Sequence, residues 1–340
     1  MKHEIDLKQY HVRTDLAIET IKTNTQGIIV ETETIDDIKI TNVIVEKEGS
    51  SIIKKKEGNY ITIEFDDVTD TSNKEQLQSI FSSQLKKLLD ISGIKDSDSC
   101  LVIGLGNAKS TPDALGPLVI NNVLVTNHLF EYGEVIDGYR KTFAIIPGVM
   151  GQTGIETSDI IMGVLKTIKP GFVIAIDALA SQSIERVNRT IQMTDTGIHP
   201  GSGVGNSRKE ISKETLNIPV IAIGVPTVVD AVTIVSDTIN YMYRHFSYTK
   251  ENINNPVNKL KVNVNYLNEP VNVNEEDKES LMGMIGNLNE EEIKQLIFEV
   301  LTPIGYNLMV TPKEIDFVID KLGEVIGNGI DCALHENIVK

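Results

Sequence analysis

Apolar and polar positions divide the chain into stretches of different period. Residues 1–20 are mixed and polar and read as an arm. From Gly27 to Phe65 the pattern alternates. Ile38 and Ile40, Val43 and Val45, then Ile61, Ile63 and Phe65 are set against polar neighbours such as Thr62 and Glu64. A period of two marks half-buried strands, expected here to pair antiparallel. Ser72-Asn73-Lys74-Glu75 has the form of a capping box. The residues after it place Leu77, Ile80, Phe81, Leu85, Leu88 and Leu89 on one helical face, and the helix is expected to end near Gly93.

Beyond residue 95 the apolar runs become continuous. They predict strands at 100–105, 143–147, 172–177, 188–194 and 218–223 and helices at 117–127, 155–168 and 228–245. Thr153-Gly154-Ile155-Glu156 is a second capping-box pattern, at the start of helix 155–168. Strands apolar on both faces belong in parallel sheets covered by helices. The predicted fold class is therefore α/β, a three-layer αβα arrangement with a mostly parallel central sheet, plus N-terminal strands and C-terminal helices. Residues 247–277 are rich in Asn and read as a connector, with one short strand from Leu260 to Tyr266. Residues 277–338 read as three or four helical pieces, broken at 286–289, 302–312 and 327–329. Apart from its N-terminal residues the chain reads as a single domain with its core at about 95–250.

Charge and cysteine content narrow the function classes. The 340 residues carry 48 acidic and 32 basic side chains, a net charge of −16. That argues against direct binding of nucleic acid, which needs clustered Lys and Arg, and against an anionic membrane surface. No run of 18 apolar residues and no apolar signal core is present, so a soluble cytoplasmic protein is expected. Cys100 and Cys332 offer neither a disulfide framework nor metal spacing.

Candidate chemistry gathers at two strand ends. In open α/β sheets, sites form beyond the carboxyl ends of the strands. Strand 100–105 runs into Gly104-Leu105-Gly106-Asn107 and then Thr111-Pro112-Asp113, and strand 172–177 ends on Asp177. If the two strands are parallel neighbours, acids 64 positions apart meet on one edge of the sheet. Asp177 stands among apolar residues, where a carboxyl is desolvated and favours its protonated form. Two carboxyls of divergent acidity suit general acid–base hydrolysis. The same two acids are equally read as a helix-start acid and a hydrogen-bonded core acid.

The other motifs are weaker. The third glycine of a dinucleotide fingerprint would fall at Lys109, so Gly104-Leu105-Gly106-Asn107 fails that pattern. Its backbone N–H groups could instead hold an oxyanion. Asp195-Thr196-Gly197 matches the aspartic-protease tripeptide but occurs once, in an α/β pattern, and reads as a turn. The glycine-rich loop from His199 to Asn206 reads as a surface loop or a substrate flap, with Arg208 and Lys209 adding positive charge. Gly106, Asn107, Thr153, His199 and Arg208 are the candidate substrate-binding residues.

Four stretches together carry a family resemblance. They are Gly104-Leu105-Gly106-Asn107 leading to Thr111–Pro117, Pro147-Gly148-Val149-Met150-Gly151-Gln152-Thr153-Gly154-Ile155-Glu156-Thr157, Ile176-Asp177-Ala178-Leu179-Ala180, and Asp195-Thr196-Gly197 through Asn206. They resemble the germination protease of endospore-forming bacteria, and Tyr10–Ala17 looks like that family's propeptide junction.

The resemblance implies an endopeptidase that degrades small acid-soluble spore proteins in the spore core during germination. It implies a homotetramer, made in the forespore as a zymogen that removes its own N-terminal segment. It also implies a fold like that of the hydrogenase maturation endopeptidases, whose metal-binding acids match Asp113 and Asp177. In that alternative, metal-dependent reading the third ligand is a histidine, and His199 is the candidate here. The family's preference for an acidic residue, then an apolar residue, then alanine matches Asp15-Leu16-Ala17. Self-cleavage is thus expected between Asp15 and Leu16, leaving 1–15 as propeptide and 16–340 as the peptidase. The resulting mechanism uses Asp113 as base and Asp177 as acid, or the reverse, with no cofactor. Lys109, Arg186, Arg189 and Arg208 are the candidates to read the acidic residue before the cut.

Overall fold

The computed structural model describes residues 14–21, 25–133, 137–200, 209–254, 273–301 and 308–338. The N-terminal third forms β1 (Ile28–Ile35), β2 (Ile38–Val45), α1 (Lys47–Ile53), β3 (Gly58–Glu64) and α2 (Thr71–Ile91). The central part gives β4 (Cys100–Gly104), α3 (Leu115–Ile120), α4 (Asn127–Tyr132), β5 (Thr142–Ile145), α5 (Met150–Thr153), α6 (Thr157–Ile168), β6 (Phe172–Ser181), β7 (Thr190–Thr194), α7 (Lys213–Leu216) and β8 (Val220–Asp230). The described residues beyond β8 form α8 (Ala231–Asn252), α9 (Glu275–Met282), α10 (Glu290–Leu301), β9 (Met309–Val310) and α11 (Ile315–Leu334).

The described residues divide into two compact units. One draws on residues 14–181, 185–228 and 311–338, the other on 182–184 and 229–310. The larger contains the sheet, in the order β1-β2-β3-β7-β8-β6-β4-β5. β4 pairs parallel with both β5 and β6. The N-terminal strands join the same sheet through an antiparallel pairing of β3 with β7. Asp36 and Asp37, both with positive φ, close the two-residue β1–β2 hairpin.

Alternation along the central strands builds the layers. Cys100 and Val102 of β4 and Phe172, Ile174 and Ile176 of β6 face a core shared with α2, α3 and α11. Leu101, Ile103, Val173 and Ala175 face the opposite core, with Ile161 and Leu165 of α6 and Leu216 of α7. Strands covered on both faces are the physical reason these runs are continuously apolar. The α/β class and its three layers stand as the sequence indicates.

Several boundaries differ from expectation. α2 is capped by Asp70, whose carboxylate accepts from the Ser72 and Asn73 N–H groups, so Ser72 lies inside the helix. The expected helix 117–127 ends at Ile120, after which the Leu124 N–H donates to the buried Asp331 carboxylate at 2.8 Å. Thr153 caps nothing, because Glu156 is the N-cap position of α6. α8 runs on through Asn252 into the expected connector, and the suggested strand at Leu260–Tyr266 lies outside the described residues. α11 continues through Gly327 and Gly329. Those glycines are set by close approach: a Cβ there would stand 2.6 Å from Asn122 Cβ and 2.4 Å from Phe81 Cδ1. Nor are residues 14–20 a loose arm, since Leu16 and Ala17 are both fully buried.

The smaller unit is built from α8, α9 and α10 with β9 paired antiparallel to the last residues of β8. Val232 packs with Ile293, Ile297 and Phe298 in its core.

Candidate active site

The pairing of β4 with β6 sets the loop at Gly106 beside Asp177. Their parallel register matches Cys100 with Phe172 and Gly104 with Ile176. One residue further, the Leu105 N–H donates to the Ile176 carbonyl at 2.8 Å. The next positions are Gly106, in the loop after β4, and Asp177, which lies inside β6 because that strand runs on to Ser181 rather than ending at 177 as the sequence suggested. Asp177 is 5% exposed, and one of its carboxylate oxygens accepts from the Ala178 N–H at 3.0 Å.

Asp113 packs against Gly106 by a tight return of the chain. A 3-10 turn, Thr111–Asp113, follows the loop and leads into α3. The Asn107 N–H donates to the Asp113 carbonyl at 2.9 Å, closing the loop on itself. Gly106 has φ +105°, and a Cβ on it would stand 2.1 Å from the Asp113 carbonyl oxygen and 3.2 Å from its Oδ1. Only glycine fits, for both backbone and space. The turn also packs against β6. From the β8 side, the buried Thr227 hydroxyl donates to the Pro112 carbonyl at 2.6 Å, and the Thr311 hydroxyl donates to the Thr227 carbonyl at 2.8 Å.

Two N–H groups of the loop are not open to an oxyanion as the sequence suggested. Those of Leu105 and Asn107 are consumed by Ile176 and Asp113. Asn107 keeps a structural role through its side chain, whose oxygen accepts from the Lys109 N–H at 2.9 Å and from the Gln152 amide. The exposed Thr153 hydroxyl is engaged with its own turn, donating to the Ile155 carbonyl at 3.0 Å. His199 sits apart from a metal arrangement. Its Nε2 is 3.6 Å from Glu210, and among the described residues no group of three His, Cys, Asp or Glu side chains could hold a metal ion. The ligand set of the metal-dependent alternative therefore does not fit. Arg208 lies outside the described residues.

The expected cleavage junction is held at several points. Asp15 N–H donates to the Ala180 carbonyl at 3.2 Å, and Ala180 N–H donates to the Asp15 carboxylate at 2.9 Å. Lys55 Nζ donates to the carbonyls of Thr14 and Asp15, each at 3.0 Å. The Gln192 amide spans the Asp15–Leu16 bond, donating to the Asp15 carbonyl at 3.2 Å and accepting from the Ala17 N–H at 2.6 Å. Glu19 accepts from Ser181 at 2.6 Å and pairs with Arg186 at 3.5 Å. Sequence reasoning missed Lys55, Gln192 and Thr227. Lys55 stands in the run Lys54-Lys55-Lys56, which matches no motif. Arg186, a candidate for the acidic residue, is occupied by Glu19 and Glu64.

A sequence model described as germination protease matches residues 4–340. The chain belongs to the germination protease family. Curated relatives agree in length as well as sequence. The germination protease of Priestia megaterium is 49% identical over 360 residues, covering 99% of this chain and 97% of that protein. That of Bacillus licheniformis is 50% identical over 356 residues with the same coverage. Membership makes this family member a peptidase linked to spore germination. Among solved structures, a nickel–iron hydrogenase maturation protease from Thermococcus kodakarensis matches 42% of this chain and 80% of its own, at 18% identity and a TM-score of 0.28. Among the described residues no helix is long and apolar enough to cross a membrane.

Proposed function

We propose that this germination protease hydrolyses peptide bonds with water activated between Asp113 and Asp177. Its substrates are the small acid-soluble spore proteins, cut after an acidic residue in the spore core. The observation that carries this reading is the packing of the Asp113 turn on Gly106 and against β6, the strand that holds Asp177. Asp113, half-buried ahead of α3, takes the proton of the attacking water. Asp177 is almost fully buried. It holds the proton that polarises the scissile carbonyl and passes to the leaving amine. Water's oxygen joins the carbonyl carbon, the C–N bond breaks, and no covalent enzyme intermediate forms.

The chain is made as a zymogen in this reading. It cuts itself between Asp15 and Leu16 and works as a homotetramer in the forespore and spore. The test is cleavage of a synthetic peptide with an acidic-apolar-Ala sequence by the processed parent and by Asp113→Asn and Asp177→Asn forms. Activity confined to the parent supports the two-acid reading. Substantial cleavage by either purified variant rejects it.

A further inference from the structure

The site that holds Asp15 is equipped for more than an intact chain. The Asp15 carbonyl oxygen accepts from both Lys55 Nζ at 3.0 Å and the Gln192 amide at 3.2 Å. The side chain and backbone of the same residue are paired with Ala180. Gln192 is 6% exposed, so its amide is fixed by its surroundings. Beside the junction lies a cavity of about 170 Å³, lined by Asp15, Lys55, Gln192, Thr194, Thr196 and His199 among others. Burial pulls the Lys55 ammonium below its ordinary value, and the carboxylates of Asp15 and Glu19 act against that shift. An ammonium in such a place gains from any further negative charge within reach.

Hydrolysis of the Asp15–Leu16 bond supplies that charge at an atom already in contact. Water's hydroxyl goes to the Asp15 carbonyl carbon and its proton to the Leu16 nitrogen. The new carboxyl group ionises and the new amine is protonated. The oxygen that Lys55 and Gln192 hold as an amide carbonyl becomes one of two carboxylate oxygens. Hydrogen bonds to a carboxylate are shorter and stronger than those to a neutral carbonyl.

We propose that Lys55, Gln192 and the Ala180 backbone form a product site, whose ligand is a peptide ending in an acidic residue with a free α-carboxylate. The inference rests on the reading that the chain is cut after Asp15. The first such ligand is the removed segment itself, which stays bound after the cut. Later ligands are the N-terminal-side fragments of substrates cut after an acidic residue, and these slow the enzyme as they accumulate.

The test titrates the processed chain, Leu16 to Lys340, with a synthetic peptide of residues 1–15 in calorimetry. Of the removed segment only Thr14 and Asp15 belong to the described fold, and the described helices and strands lie beyond them. The free-acid peptide binds, and the same peptide ending in a C-terminal amide binds about tenfold or more weakly. Lys55→Met weakens the acid form more than the amide form, so the difference between the two narrows. Gln192→Glu keeps an acceptor for Ala17 N–H while placing a like charge beside the product carboxylate, so it also weakens the acid form. No binding, equal binding of acid and amide, or indifference to both substitutions overturns the product site. The intact mass of the full-length chain, followed separately, tests the processing reading. A chain that never loses residues 1–15 rejects processing without altering the titration.

Discussion

The Leu105 N–H donates to the Ile176 carbonyl at 2.8 Å, just past the end of β4, while β6 continues to Ser181. That bond fixes the relation between Gly106, against which Asp113 folds, and Asp177. Everything proposed for the chemistry depends on this juxtaposition.

Gly106 is the position most sensitive to a small change. With φ at +105° and the Asp113 carbonyl 2.1 Å from a would-be Cβ, Gly106→Ala must displace the Asp113 turn. A strained backbone and overpacking together are expected to cost about 2–4 kcal/mol in chemical denaturation. Misplacement of a reacting group by an ångström lowers turnover on the order of a hundredfold. Peptide cleavage by the folded fraction of the variant, with a denaturation curve beside it, checks both effects.

Thr227 positions Asp113 without belonging to the acid pair. Thr227→Val keeps the side-chain shape and removes the donor to the Pro112 carbonyl. The bond lost, with its acceptor left in a tight setting, is expected to cost about 1–3 kcal/mol. The turn loosens, so kcat falls while KM changes little. Thr227→Ser, which restores the hydroxyl, recovers most of kcat. A fall in KM and kcat together, with no rescue by Ser, would contradict the positioning role.

Asp70 gives a pH signature independent of catalysis. The Ser72 hydroxyl first, then the N–H groups of Asn73 and Ser72, hold its carboxyl below the usual value of 3.8. A carboxyl lowered by folding adds stability above its unfolded pKa, and that stability is lost as pH falls through the folded value. Asp70→Ala therefore melts at a lower temperature than the parent at pH 7, and the gap closes as the pH is taken below 3.8. Asp70→Asn, which still caps the helix, melts close to the parent.

How much of this could be read in the sequence depended on the range of the interactions. β4 and β6 were legible because burial on both faces writes an unbroken apolar run, and Asp177 stood out as the polar residue inside one. Asp113 was legible because a strand, a glycine turn and a helix start are local features. The expected junction is marked in the sequence only by the tripeptide Asp15-Leu16-Ala17. Its grip was not legible, because Lys55 and Gln192 lie 40 and 177 positions from Asp15 and leave no periodic trace. The continuous α11 was missed for a related reason. Glycines at 327 and 329 look like breaks until Asn122 and Phe81 are seen to require them. The length of α3 was missed because Asp331, more than 200 positions away, takes the N–H of Leu124.

The most direct test of the paired-acid account is the intact mass of the purified full-length chain over time under mildly acidic conditions, beside Asp113→Asn and Asp177→Asn. The account predicts loss of residues 1–15 in the parent alone, with both variants folded and uncut. Loss of the same segment in either variant, at a rate near the parent's, would contradict it.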